Sequence, residues 1–203
     1  MAYSSFTLSD ITKKFDIILT ETTDLFAGVP EAPIRPEFQA QFNTTLPLAL
    51  ATSTEKARSE FIIAPVLVEL WLLQNRMIGL LSGVEFNIDE SQGLVGVCDY
   101  IITLSPEQMF VKAPVMMLVE AKNEDLKRGY GQCIAEMIAA QRFNAREGSE
   151  SPQVYGVVTI GELWRFLVLE GTTARIDSRS YHIDRLAKIM GILLHLTRIQ
   201  DPI

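Results

Sequence analysis

Apolar positions change their spacing several times along the chain, and each change marks an expected element. Phe61, Ile62, Pro65, Val66, Glu69, Leu70, Leu73 and Met77 recur at helical spacing. They follow Thr52-Ser53-Thr54-Glu55, which reads as a capping box with Thr52 at the cap and Glu55 three residues on. Pro65 should kink that helix or split it in two, and Ser82-Gly83 should end it. Residues 84–89 then alternate apolar and polar, Ser91-Gln92-Gly93 is turn chemistry, and 94–104 is rich in Val and Ile. The almost continuous apolar run 115–121 suggests a buried strand. Residues 125–146 read as a helix with Ile134, Met137, Ile138 and Gln141 on one side. A loop over 148–152 leads to strands 154–160 and 163–170, joined by Gly161-Glu162, and 183–199 reads as a last amphipathic helix. Helix, three strands, helix, two strands, helix is an α+β order that suits a central mixed β-sheet flanked by helices.

The first fifty residues follow a different rhythm. Ser9-Asp10 could cap a short helix over 11–18. Val29-Pro30, Ala32-Pro33 and Arg35-Pro36 bias the chain toward extended and looped backbone. Residues 1–50 are therefore expected to form an N-terminal extension packed on a core domain of residues 51–203.

Composition narrows the class. The chain has 203 residues, 48% of them hydrophobic and 21% charged, which suits one folded domain. No uncharged apolar run approaches the roughly 18 residues of a membrane span, and the run 61–73 is broken by Glu69. Cys98 and Cys133 match no metal spacing; with no signal peptide they read as free thiols, and the expected compartment is the cytoplasm. Net charge is −7, with −8 in residues 1–110 and +1 in residues 111–203. That excludes a broad basic surface, but not a local basic groove in the C-terminal half.

The candidate chemistry lies on two of the expected strands. Asp99 interrupts Gly96-Val-Cys-Asp-Tyr-Ile-Ile, and Glu120 and Lys122 share one side at the end of the next strand. Converging carboxylates repel unless a proton or a cation sits between them. A hard divalent ion answers that need, with a lysine to position water or to neutralise charge on a phosphate. The same three residues also allow a plain ion pair, with Asp99 beside a turn.

Asp99 followed by Glu120-Ala121-Lys122 resembles the D…ExK signature of the PD-(D/E)xK nuclease superfamily, and the order of elements resembles its restriction endonuclease-like core. The resemblance covers roughly residues 52–170 and is nearest to the nuclease domain of type I restriction enzyme motor subunits. It implies metal-dependent hydrolysis of DNA phosphodiesters. Mg²⁺ or Mn²⁺ would be held by Asp99, Glu120 and Glu55, and Lys122 would position the attacking water. Glu55 is equally readable as a capping partner, and Glu60 is its substitute. Gln132 in Gly129-Tyr-Gly131-Gln132-Cys resembles the Gln of a QxxxY motif; here Glu136 takes the Tyr position, and Cys98 replaces the Pro before the Asp. Lys127 and Arg128, with Asn123, Arg142, Arg146 and a helix start near Glu124, are the groups an anionic strand would meet. Nucleases of this kind often pair to cut both strands, so a homodimer joins DNA as an expected partner. The alternative is a catalytically inactive member of the same fold serving binding or assembly; a third reading is hydrolysis of small phosphorylated metabolites.

Overall fold

A computed structural model describes residues 2–122, 125–149, 151 and 153–198. The fold is α+β. Eight strands form one mixed sheet, with helices on both faces.

In chain order the elements begin with α1 (Leu8–Lys14), β1 (Ile18–Thr20) and α2 (Pro36–Thr52). A short α3 (Glu55–Arg58) runs through a π-helical turn, Ser59–Ile63, into α4 (Ala64–Leu73). Next come β2 (Gly79–Glu85), β3 (Val97–Thr103), β4 (Val115–Ala121) and α5 (Leu126–Arg146). The chain closes with β5 (Gln153–Thr159), β6 (Leu163–Glu170), β7 (Thr173–Ile176), β8 (Tyr181–His182) and α6 (Leu186–Leu196). The sheet order is β1-β7-β6-β5-β4-β3-β2, with β8 pairing β6. Strands β2, β3 and β4 are antiparallel neighbours; β4 and β5 run parallel, joined by α5 as a crossover. One face packs Ile62, Ile63, Val66, Leu67 and Leu70 against Trp164, Phe166, Ile189 and Leu193. The other packs Cys133, Ile134 and Met137 of α5 against Leu118, Val158 and Leu167.

Several expectations shift. Thr7, not Ser9-Asp10, caps α1; its hydroxyl accepts from the Asp10 amide while Asp10 bonds back, so Asp10 is the third residue of the box. That helix ends at Lys14, and Ile18 opens β1 instead of closing the helix. Residues 36–52 form a 17-residue helix, started by Pro36 at its first turn and spanning Pro47. Phe38, Phe42 and Ala49 are its buried spine. Thr54, not Thr52, caps the next helix through the Ala57 amide, so Glu55 sits in the first turn and is not the partner in a capping box.

Pro65 neither breaks nor splits the helical run. It lies at the start of α4, directly after the π-helical turn, in which the Ala64 amide reaches back to the Ser59 carbonyl. Proline removes the donor that would have met the Phe61 carbonyl, and Thr45 of α2 offers that oxygen its hydroxyl at 3.5 Å. The helix ends at Leu73, and Ser82-Gly83 lies inside β2, where Gly83 adopts φ 64°. The final helix ends at Leu196, so Ile199 lies outside the described residues, as do Asn123, Glu124, Glu150 and Pro152.

Candidate active site

The candidate residues meet where β3 and β4 part. Their ladder pairs Tyr100 with Val119, and no backbone pair follows toward Asp99 and Glu120. Parting strands leave the Ala121 amide in need of an acceptor within a buried stretch. Asp99 supplies it: its Oδ2 accepts that N–H at 2.8 Å. Burial pushes the Asp99 carboxyl up, opposed by this hydrogen bond and by the charge of Lys122.

Glu120 turns the other way, onto α5, and is 1% exposed. Lys122 ion-pairs with its Oε1, and the Gln132 side chain donates to its Oε2 at 2.8 Å. Gln132 ties the group together. Its Oε1 accepts from Lys122 Nζ at 3.1 Å, and its Nε2 also donates to Glu136 Oε1 at 3.0 Å. The helix can come this close because residue 129 is glycine: a Cβ there would stand 2.5 Å from Val158 and 3.2 Å from the Lys122 stem.

Burial, then the negative charge of Asp99, raises Glu120 to about 7 despite the ammonium beside it. Burial opposes charge on Lys122, but Glu120, Asp99 and Glu55 outweigh it and hold that ammonium above its usual range. Glu136, wholly buried, is pushed well up, first by burial and then by Glu120. Its Oε2 meets no hydrogen-bond partner.

On the outer side lies a cleft of about 360 Å³, lined by Glu55, Lys56, Ser59, Glu60, Ser82, Asp99, Tyr100 and Ala121 among others. Glu55 and Glu60 reach it from α3 and the π-helical turn. Glu60 pairs with Lys56 at 2.8 Å, whereas Glu55 is exposed and adds its field to Lys122. Ser59 and Tyr100 hydroxyls meet at 2.6 Å and fix the turn to β3. Lys127 and Arg128 are exposed in the first turn of α5, which Asp125 caps. Arg142 and Arg146 lie far down the helix and serve as anchors: one pairs with Asp89 at 2.6 Å, the other donates to the Ile88 carbonyl at 2.7 Å.

Asp99, Glu120, Lys122 and Gln132 thus form one neighbourhood, with Glu55 on its rim. The three carboxylates expected to share a cation are not gathered into one cage. Among the described residues no three His, Cys, Asp or Glu side chains stand at ligating spacing. Asp99 looks into the cleft, Glu120 is drawn back by Lys122 and Gln132, and Glu55 lies out in solvent. The donor chemistry still suits a hard ion, because all the candidates are carboxylates and two of them are destabilised by burial. Sequence reasoning noted Glu136 only as a departure from a motif. Its i, i+4 spacing from Gln132 on a helix with a buried face was the signal that the two side chains meet.

Comparison with protein-family models, with curated proteins and with solved structures returned no match.

Proposed function

We propose that the chain is a metal-dependent phosphodiester hydrolase of the PD-(D/E)xK kind, acting on DNA, with a restriction endonuclease-like core inside the α+β fold. The observation that carries this reading is the meeting of Asp99, Glu120, Lys122 and Gln132 at the parting ends of β3 and β4, beside an acidic cleft. Asp99 and Glu120 would hold Mg²⁺ or Mn²⁺, with Glu55 swinging in from the rim. The ion supplies a lowered water pKa and a Lewis acid for the phosphate oxygens. Lys122 keeps its proton, so its part is to orient the attacking water and to stabilise negative charge on the phosphate. Gln132 holds that ammonium in place. Lys127 and Arg128, one helical turn beyond, are placed to meet the flanking backbone.

Nicking of supercoiled plasmid in Mg²⁺ or Mn²⁺ tests the reading. Wild type should cut, and Lys122→Ala should cut about 10²–10³-fold more slowly, the usual worth of a donor that stabilises charge in the transition state. A wild type that neither cuts nor takes up either ion in calorimetry ends it. One observation favours the second reading, an inactive binding or assembly module. The Lys122 ammonium is already bridged between Glu120 and Gln132, a closed network that needs no ion. That module would give the same result in wild type and Lys122→Ala.

A further inference from the structure

We infer that Glu136 is a positioning residue: its Oε1 holds the Gln132 amide and, through it, fixes the places of Lys122 and Glu120 behind the candidate cation site. The inference rests on the metal-site reading above and adds a residue to it.

The hydrogen bonds carry the argument. A glutamine amide has one oxygen and one NH₂, and a 180° flip exchanges them. Gln132 Nε2 spends its two protons on Glu120 Oε2 at 2.8 Å and Glu136 Oε1 at 3.0 Å. Only the remaining oxygen is left for Lys122 Nζ, at 3.1 Å. Without the Glu136 acceptor, one amide proton would lose its partner inside a buried pocket, and the amide would be held by Glu120 and Lys122 alone, free to swing between them. A flipped amide sets its oxygen against the Glu120 carboxylate and its NH₂ against the ammonium, so both groups would be repelled from their places.

Glu136 is an expensive way to fill the space. It is 0% exposed, and its Oε2 finds no partner. Its neighbours on α5, Cys133, Ala135, Met137, Ala139 and Ala140, are apolar and buried. A carboxyl in such surroundings lowers stability, and nothing in the packing calls for one. What its carboxyl reaches is the candidate site itself: Oε1 accepts from Gln132, and Glu120 lies close enough to interact with it. Groups behind a metal ligand set that orient it are worth about 10–100-fold in metal affinity.

Two variants of nearly the same size separate this role from packing. Glu136→Gln keeps an acceptor oxygen; Glu136→Met removes it and fills the pocket with apolar atoms. The readouts are Mn²⁺ titration by calorimetry, the thermal midpoint, and the proton-exchange rate of the Gln132 side-chain NH₂ by NMR. Glu136→Gln should bind Mn²⁺ within about threefold of wild type, whereas Glu136→Met should bind at least tenfold more weakly although its melting temperature equals or exceeds that of wild type. Equal Mn²⁺ affinity in all three proteins overturns the inference; so does equal loss in both variants, since the acceptor would then not be the deciding atom. If wild type takes up no Mn²⁺, the metal-site reading has failed on its own account. The exchange rate then decides the clamp: slow in wild type and Glu136→Gln but fast in Glu136→Met upholds it, and the same rate in all three refutes it.

Discussion

Two ionisations govern the candidate site. Glu120 titrates at about 7 in the folded chain against 4.5 for an unperturbed glutamate. Its folded pKa is raised, so between those values the native state binds more protons than the unfolded one, and stability falls as pH climbs through that window. On the metal-site proposal, a divalent cation competing for the same carboxylate would restore what is lost. Excess Mg²⁺ should therefore raise the melting temperature by several degrees near pH 8 and by almost nothing near pH 5, in thermal scans at matched ionic strength. A shift of equal size at both pH values contradicts a cation at Glu120. Removing Asp99 is as informative, because its bond to the Ala121 amide gives that carboxylate work in holding the parting strands together. Asp99→Ala, which removes the acceptor, should thus lower stability as well as any metal affinity, and Lys122→Ala should also lower stability because it leaves the buried Glu120 without its cation.

Among the elements, α5 does the positioning, and two glycines set how closely it lies. At Gly129 it meets Val158 and Lys122; at Gly131 it meets the chain at Phe6 and Thr7. A Cβ at residue 131 would collide with the Phe6 carbonyl and stand 2.7 Å from the Thr7 carbonyl carbon, backbone atoms that cannot rotate away. Gly131→Ala should cost about 1–3 kcal/mol by overpacking, seen as a lower urea midpoint with unchanged slope. How much of this could be read in the sequence depended on the kind of signal. The strands over 115–121 and 163–170 and the helix over 126–146 stood out because their apolar runs were long and regular. β1, β7 and β8 are two to four residues long, too short for any period to show, and exist because neighbouring strands offer a ladder. α2 was hidden by its prolines and its sparse buried spine. At the site, spacing put Glu120 and Lys122 on one side, where the two side chains pair, but no spacing says which way a carboxylate turns. The withdrawal of Glu120 toward Gln132 follows from the helix packed behind it.

For the molecule as a whole, the leading segment is woven into the rest. Tyr3 donates from its hydroxyl to the Phe86 carbonyl at 2.5 Å, and β1 adds a parallel edge to β7. Residues 24–35 run along α6 and α4: Lys188 donates to the Phe26 carbonyl at 2.7 Å and to Val29, and Arg35 grips the buried Glu69. Lys188→Met would take the ammonium from the Val29 carbonyl and leave the Phe26 carbonyl with the Val29 N–H alone. It should lower stability by about 1–3 kcal/mol and open the segment at Leu25 and Phe26 to chymotrypsin before the sheet unfolds, read by limited proteolysis along a urea series. Unaltered cleavage kinetics there would count against that clamp. The partners of this opening stretch lie near the far end of the polypeptide: Ile18 is paired with Thr173, and Phe26 is held from Lys188. During synthesis Ile18 and Phe26 must therefore wait, uncovered, until Thr173 and Lys188 have been made, whereas Tyr3 and Arg35 can meet Phe86 and Glu69 sooner. Docking of that segment makes contacts up to 162 residues apart in sequence, the non-local kind that forms slowly.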